Sequence, residues 1–335
     1  MSNITMMMVV YAIFIFFLLC SPSSIAVTVL RRLQLPSPLT GPDSLAFDRN
    51  GAGPYTGASD GRILKYFPND GFKEYAYTSP TRNKTCDGLA DFSALQATCG
   101  RPLGLSFNHQ TGELYAADAY FGLVKIGPNG GTPTQLVGTV QGTPLKFAAA
   151  LDIDPDTGIV YFTEASSNYQ IRDYQTMIDK RDSSGSLFKY DPSTNHTTVL
   201  LRGLAVASGV AISRDGSFLL VSELVANRVR RFWLKGPRTN QSELFWQLAG
   251  RPENIKRNSR GQFWVAVNSY IGPSPPQRVL IIPAAIRVNE NGLIVQVVNL
   301  MQEYGSEGIS EVQEFNGTLY AGSLKVSYAS IFTQP

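Results

Sequence analysis

One unit recurs six times along this chain, and that repeat excludes most folds at once. Each copy is a short apolar strand, a polar turn with glycine, and a second strand rich in aromatic and β-branched residues. The first strands read Pro42-Asp-Ser-Leu-Ala-Phe-Asp48, Pro102-Leu-Gly-Leu-Ser-Phe-Asn108, Ala148-Ala-Ala-Leu-Asp-Ile-Asp154, Ala207-Ser-Gly-Val-Ala-Ile-Ser213, Pro252-Glu-Asn-Ile-Lys-Arg-Asn258 and Ile309-Ser-Glu-Val-Gln-Glu-Phe315. The turns follow at Asn50-Gly51, Thr111-Gly112, Thr157-Gly158, Asp215-Gly216, Arg260-Gly261 and Asn316-Gly317. Second strands such as Val160-Tyr-Phe-Thr163 and Phe263-Trp-Val-Ala266 come next, and several copies add a third, such as Arg62-Ile-Leu-Lys-Tyr-Phe67. Copies begin 45 to 60 residues apart. Six hairpin-rich units at that spacing predict an all-β, six-bladed β-propeller. No amphipathic helix follows each strand, which argues against a doubly wound α/β fold. One short helix is expected near Tyr174 to Asp179. A closed propeller is one domain, so residues 27–335 are read without an internal boundary.

The second position of each unit is Asp43, Leu103, Ala149, Ser208, Glu253 and Ser310. Innermost strands border a central channel, and side chains alternate along a strand, so these six should face one shared space. By the same alternation Glu311 points away, whereas Glu314 has the parity of the channel.

Residues 1–26 read as a secretory signal peptide. Met6 to Cys20 is an apolar run, no charged side chain precedes Arg31, and Ser24 and Ala26 stand at −3 and −1 of a cut. An uncleaved anchor is the alternative, but the run is short for a membrane span. No later stretch approaches that length, so no membrane association is expected after cleavage. Cys20 leaves with the leader. Cys86 and Cys99 then read as one disulfide in an oxidising compartment. Sequons at Asn83, Asn195, Asn240 and Asn316 support glycosylation along the same route, although Asn316-Gly317 also suits a tight hairpin turn. The destination is the vacuole or the extracellular space.

Lys plus Arg is 29 and Asp plus Glu 26, so the net charge is +3 and no basic block stands out. A nucleic-acid partner is therefore not expected. The two histidines, His109 and His196, lie at a turn and inside a sequon, which removes a multi-histidine metal site and a Ser-His-Asp hydrolase. Arg228, Arg230 and Arg231 read as a solvated sheet edge, Asp152 and Asp154 as turn formers, and Glu223 as the partner of a nearby arginine.

Several segments resemble plant strictosidine synthase and its strictosidine synthase-like relatives. They are Gly100-Arg-Pro-Leu-Gly-Leu105, Gly158-Ile-Val-Tyr-Phe-Thr163 with Gly185-Ser-Leu-Phe-Lys-Tyr-Asp-Pro192, Asp215-Gly-Ser-Phe-Leu-Leu-Val-Ser-Glu223, and Asn254-Ile-Lys-Arg-Asn258 with Phe263-Trp-Val265. The resemblance covers the whole mature chain. It implies a secretory six-bladed propeller, often vacuolar and glycosylated. The namesake condenses tryptamine with secologanin in a Pictet–Spengler reaction without a cofactor. It also implies that Ser310 stands at the family's catalytic glutamate and Gly308 at its histidine. A serine hydroxyl cannot relay protons near neutral pH as a tuned carboxylate can, which argues against strictosidine formation. In the amine pocket Tyr120 and Phe147 keep aromatic rings, while Ala149 and Leu224 stand at aromatic positions.

Asp43 and Glu253 occupy positions where loosely related calcium-dependent lactonases place metal-ligating acids. Asn254 sits beside Glu253, and Ser208 stands where that pattern has an asparagine. Three roles are open to the two acids: bonding backbone amides, holding calcium, or acid/base work. The leading expectation is a strictosidine synthase-like protein that acts on or binds another small molecule, as a monomer and without a cofactor. The alternatives are a calcium-dependent lactonase or esterase, and a non-enzymatic small-molecule-binding propeller.

Overall fold

The computed structural model describes residues 28–271 and 280–333; the leader read from the sequence lies outside them. Six four-stranded antiparallel sheets form the blades of a propeller. The innermost strands are Leu45–Ala46, Pro102–Phe107, Ala148–Ile153, Ala207–Ile212, Arg251–Arg257 and Glu311–Phe315, one from each copy of the repeat. The first five blades run outward in chain order. The sixth takes its outermost strand, Val29–Gln34, from the other end of the chain, where it pairs with Tyr328–Phe332. That pairing closes the ring.

Every blade has four strands, one more than the repeat displays. The outermost ones, such as Thr134–Val137 and Ser242–Gln247, are half-exposed and lie outside the recurring unit. The core lies between blades. Phe162 and Phe188 of the third blade pack with Leu123 and Tyr115 of the second, and Val265 and Phe263 of the fifth with Leu220 and Phe218 of the fourth. Clusters of this kind repeat around the ring, so most of the buried apolar area joins neighbouring sheets, which is the dominant stabilising term. The short helix lies at Tyr174–Asp179, where the sequence placed it.

Backbone bulges redirect the channel-facing side chains. The register shifts between Pro102 and Gly104, Ala148 and Leu151, Ala207 and Gly209, and Pro252 and Ile255. In the sixth blade Ser310 N reaches Gly322 O at 2.9 Å while Glu311 lies opposite the same residue. An extra residue in one strand advances the facing by one. The channel series therefore steps by three: Leu103 to Ser106, Ala149 to Asp152, Glu253 to Lys256, Ser310 to Gln313. The first of each pair lines one cavity and the second lines another. Simple alternation fails here, so Glu314 does not face the channel. Its carboxylate accepts from Asn258 Nδ2 (2.8 Å), Trp264 Nε1 (3.0 Å) and Arg260 Nη2 (2.9 Å).

Two further readings are corrected. Arg228–Trp233 is no edge strand, because it pairs on both sides. Arg228 and Arg230 point to the buried Glu223, and Arg231 lies over the rings of Phe218, Trp233 and Phe245. Asp154 does form its turn, accepting from Asp156 N, but Asp152 reaches the next blade, accepting from Ile212 N at 2.9 Å.

Cys86 and Cys99 are bonded, and both are buried. A loop of that length restricts the unfolded chain by about 3 kcal/mol in the chain-entropy model. Replacing both cysteines by serine is expected to lower stability by about that amount, read as a fall in the urea midpoint, with a slope that rises as the released unfolded chain expands.

Candidate functional site

Asp43, Leu103, Ala149, Ser208, Glu253 and Ser310 all line one cavity of about 390 Å³ at a mouth of the channel. Its wall divides by chemistry. One side is apolar, with Leu103, Phe147, Ile171, Met177, Val206 and Leu224. The helix Tyr174–Asp179 contributes Tyr174, Met177 and Ile178 and roofs that side. The other side carries Asp43, Glu253, Asn254 and Ser310, with Arg251, Tyr270 and Lys325 toward the rim.

Asp43 is delivered by an irregular segment ahead of its strand, and that segment is clamped from below. The wholly buried Arg101 donates from Nε to Asp91 (2.6 Å), from Nη1 to Pro102 O (2.9 Å) and from Nη2 to Gly41 O (2.9 Å). Asp91 belongs to the disulfide-closed loop and also accepts from Thr40 Oγ1 at 3.1 Å. Gly41 has φ +76, and a Cβ there would fall 2.1 Å from Arg101 Nη2, so this approach requires glycine. Glu253 is seated by the fourth blade. Ser222 Oγ donates to its carbonyl at 2.6 Å, and a Cβ on Gly209 would meet that carbonyl at 2.7 Å.

Burial, followed by the charge of Asp43, pushes the Glu253 carboxyl up to about 8. Arg251, Lys325 and a hydrogen bond with Tyr174 oppose that rise. Burial also raises Asp43, against the pull of Arg101 and hydrogen bonds with Ser310 and Asn254. Two carboxyls facing one another in a low-dielectric site cannot both ionise cheaply, so Glu253 retains a proton at neutral pH.

Ser310 Oγ accepts from Leu324 N at 2.7 Å and bonds Asp43. Ser208 Oγ bonds Pro252 O at 3.0 Å and lies 3.1 Å from Ser222 Oγ, so it braces the neighbouring blade. Phe147, Ala149 and Leu224 lie on the cavity wall, whereas Tyr120 does not line it and packs against the cluster behind. Neither Asp43 nor Glu253 has a side-chain bond to a backbone amide among the described residues. Sequence reasoning missed Tyr174, Arg251, Tyr270 and Arg101. Arg251 stands one place before a repeat unit and Tyr174 opens the inserted helix, so position was the available signal. Nothing local marked Arg101. Asn83, Asn195, Asn240 and Asn316 are all exposed.

A calcium ion takes six to eight oxygens. Here two carboxylates and one amide are at hand, and the Asn254 Nδ2 rather than its oxygen faces Asp43, at 3.5 Å. The Ser208 hydroxyl is engaged elsewhere. Among the described residues no group of three or more His, Cys, Asp or Glu is placed to hold a metal. The residues present do not make a calcium cage.

The family model described as strictosidine synthase matches residues 149–237. The chain is 44% identical to Protein STRICTOSIDINE SYNTHASE-LIKE 12 of Arabidopsis thaliana over 90% of this chain and 89% of that one. It is 39% identical to strictosidine synthase of Catharanthus roseus, over 88% and 84%. Among solved structures, a gluconolactonase of Xanthomonas campestris superposes with a TM-score of 0.62 at 14% identity, covering 92% of this chain and 94% of its own. A luciferin-regenerating enzyme gives 0.57 at 12%, covering 92% and 95%. At those identities the likeness is one of fold.

A carboxyl whose folded pKa is raised binds more protons in the native than in the unfolded state. Its native form therefore loses relative stability as pH rises from the unfolded value near 4.5 to about 8. Glu253→Gln removes that penalty. The melting temperature of the variant is expected to gain on the native chain as pH rises from 5 to 8, with no further gain beyond. Parallel curves would show that Glu253 titrates normally.

Proposed function

This chain belongs to the strictosidine synthase-like family, and on that footing we propose that it uses the channel-mouth cavity to bind and act on a small molecule other than the strictosidine precursors. The observation that carries this reading is the Asp43–Glu253 pair, set at the polar end of a cavity whose other wall is apolar. A ligand with a hydrocarbon or aromatic body would lie against Leu103, Phe147, Met177 and Leu224. Its reactive polar group would meet the two acids. Glu253, protonated near neutral pH, would donate its proton to a carbonyl oxygen or a leaving group, and Asp43 would stabilise the positive charge that develops beside it. The acid/base function would thus rest on the fifth blade, with Ser310 serving to bond Asp43.

The test is a turnover screen of amine–aldehyde pairs, lactones and esters with the native chain and Glu253→Gln. Loss of a positioned acid typically costs 10²–10⁴-fold, and a fall of about that size is expected for any substrate found. The rate should also decline above about pH 8 as Glu253 ionises. Tryptamine with secologanin should give no strictosidine. A substrate turned over equally by Glu253→Gln would refute the assignment.

A calcium-dependent lactonase or esterase is the second reading, favoured by the mutual repulsion of two buried acids, which a cation would relieve. The donor set argues against it, and a thermal melt decides. Millimolar calcium added to EDTA-treated protein is expected to leave the melting temperature unchanged. A saturable rise, lost in Asp43→Asn, would establish the metal site instead. A secretory route to the vacuole or extracellular space belongs to the same proposal, supported by the disulfide and the four exposed sequons.

A further inference from the structure

The other mouth of the channel holds a second, smaller cavity of about 100 Å³. Among the described residues none lines both cavities. Between them Lys256 Nζ crosses to Leu105 O (3.1 Å) and to Glu311 Oε2 (3.4 Å), so the two spaces are separate. The proposed reaction uses nothing in the second one.

Its charges cancel. Lys256 is paired with Glu311, and both Lys256 and Arg257 act on Asp152. Its hydrogen-bonding capacity does not cancel. Asp152 is satisfied, accepting from Ile153 N and Ile212 N. Arg257 donates from Nε to Ile212 O at 2.9 Å, while its two terminal nitrogens have no partner among the described residues. Gln313 Oε1 is buried without a hydrogen-bond partner among the described residues. A buried acceptor left unpaired carries a desolvation cost that an incoming donor would remove. The cavity therefore offers donors from Arg257 and an orphan acceptor from Gln313, with Ser106 and His109 also on its wall beside the rings of Phe47 and Phe107.

That combination discriminates among ligand classes. A simple anion would satisfy Arg257 but press negative charge on Gln313 Oε1. A cation would meet Arg257 and Lys256. An apolar molecule would leave donors and acceptor unmet. A neutral molecule with neighbouring hydroxyls satisfies both, because each hydroxyl donates and accepts. We propose that this far-mouth cavity is a binding site for a small neutral polyol, such as one edge of a sugar, held between the Arg257 guanidinium and the Gln313 carboxamide.

The test is saturation-transfer NMR and calorimetry on the full mature chain, with D-glucose and glycerol as probes and inorganic phosphate as the competing class. Saturable binding of glucose is expected in the millimolar range that so small a contact set supports. It should weaken at least tenfold in Gln313→Leu and in Arg257→Met, and stay unchanged in Glu253→Gln, which alters only the other cavity. Should Arg257→Met not fold, Gln313→Leu decides alone, since its side-chain oxygen has no partner to lose among the described residues. Glucose binding indifferent to both variants, or no saturable binding, overturns the proposal. So does phosphate binding that strengthens in Gln313→Leu, which would make the site an anion site.

Discussion

A cross-channel set of polar ties holds the six blades to one another at mid-depth. Lys256 of the fifth blade reaches the second through Leu105 O and the sixth through Glu311. Glu311 Oε1 accepts from Leu45 N of the first at 2.8 Å. Arg257 of the fifth donates to Ile212 O of the fourth, and Asp152 of the third accepts from Ile212 N. Every blade is thus linked through charged side chains around the channel, where the inner strands of different blades face each other. Desolvating these charges costs stability, and burial does raise Asp152 and Glu311. Directional bonds of this kind fix which atoms face the channel, something nondirectional apolar contacts between blades cannot do.

The same ties divide the channel into two chemistries. Above them two acids face each other with a helix roofing the apolar wall. Below them cations and acids balance. Both cavities draw on the same inner strands three residues apart, so the bulges that shift register are what allow one strand to present Glu253 to one mouth and Lys256 to the other. The disulfide-closed loop serves the upper site at a distance, through Asp91 and Arg101 to the backbone ahead of Asp43.

Much of this was legible in the residues. The recurring hairpin announced six blades, and the second position of each unit located the cavity. Period-two reasoning failed within a few residues of the channel, because a bulge leaves no compositional mark: Glu314 was given a facing that belongs to Gln313. The Arg228–Arg231 stretch reads as an edge on its three arginines alone, while the apolar run Leu244-Phe245-Trp246 of its fourth-strand partner, Ser242–Gln247, forms no part of the recurring unit. Arg101 and Arg251 were illegible for a different reason. Their roles depend on what the closure of the ring brings near, and no local pattern encodes that.

The closing strand has a consequence of its own. Val29–Gln34 lies some three hundred positions from Tyr328–Phe332, its partner in the sixth blade. During synthesis the strand that emerges first must wait for the strand that emerges last. Five blades can assemble in order while the early strand keeps an unpaired edge, and pairings of such sequence separation form slowly. Closure is therefore a checkpoint on completeness: a chain stopped short of its final strand would have every earlier blade and still be an open ring.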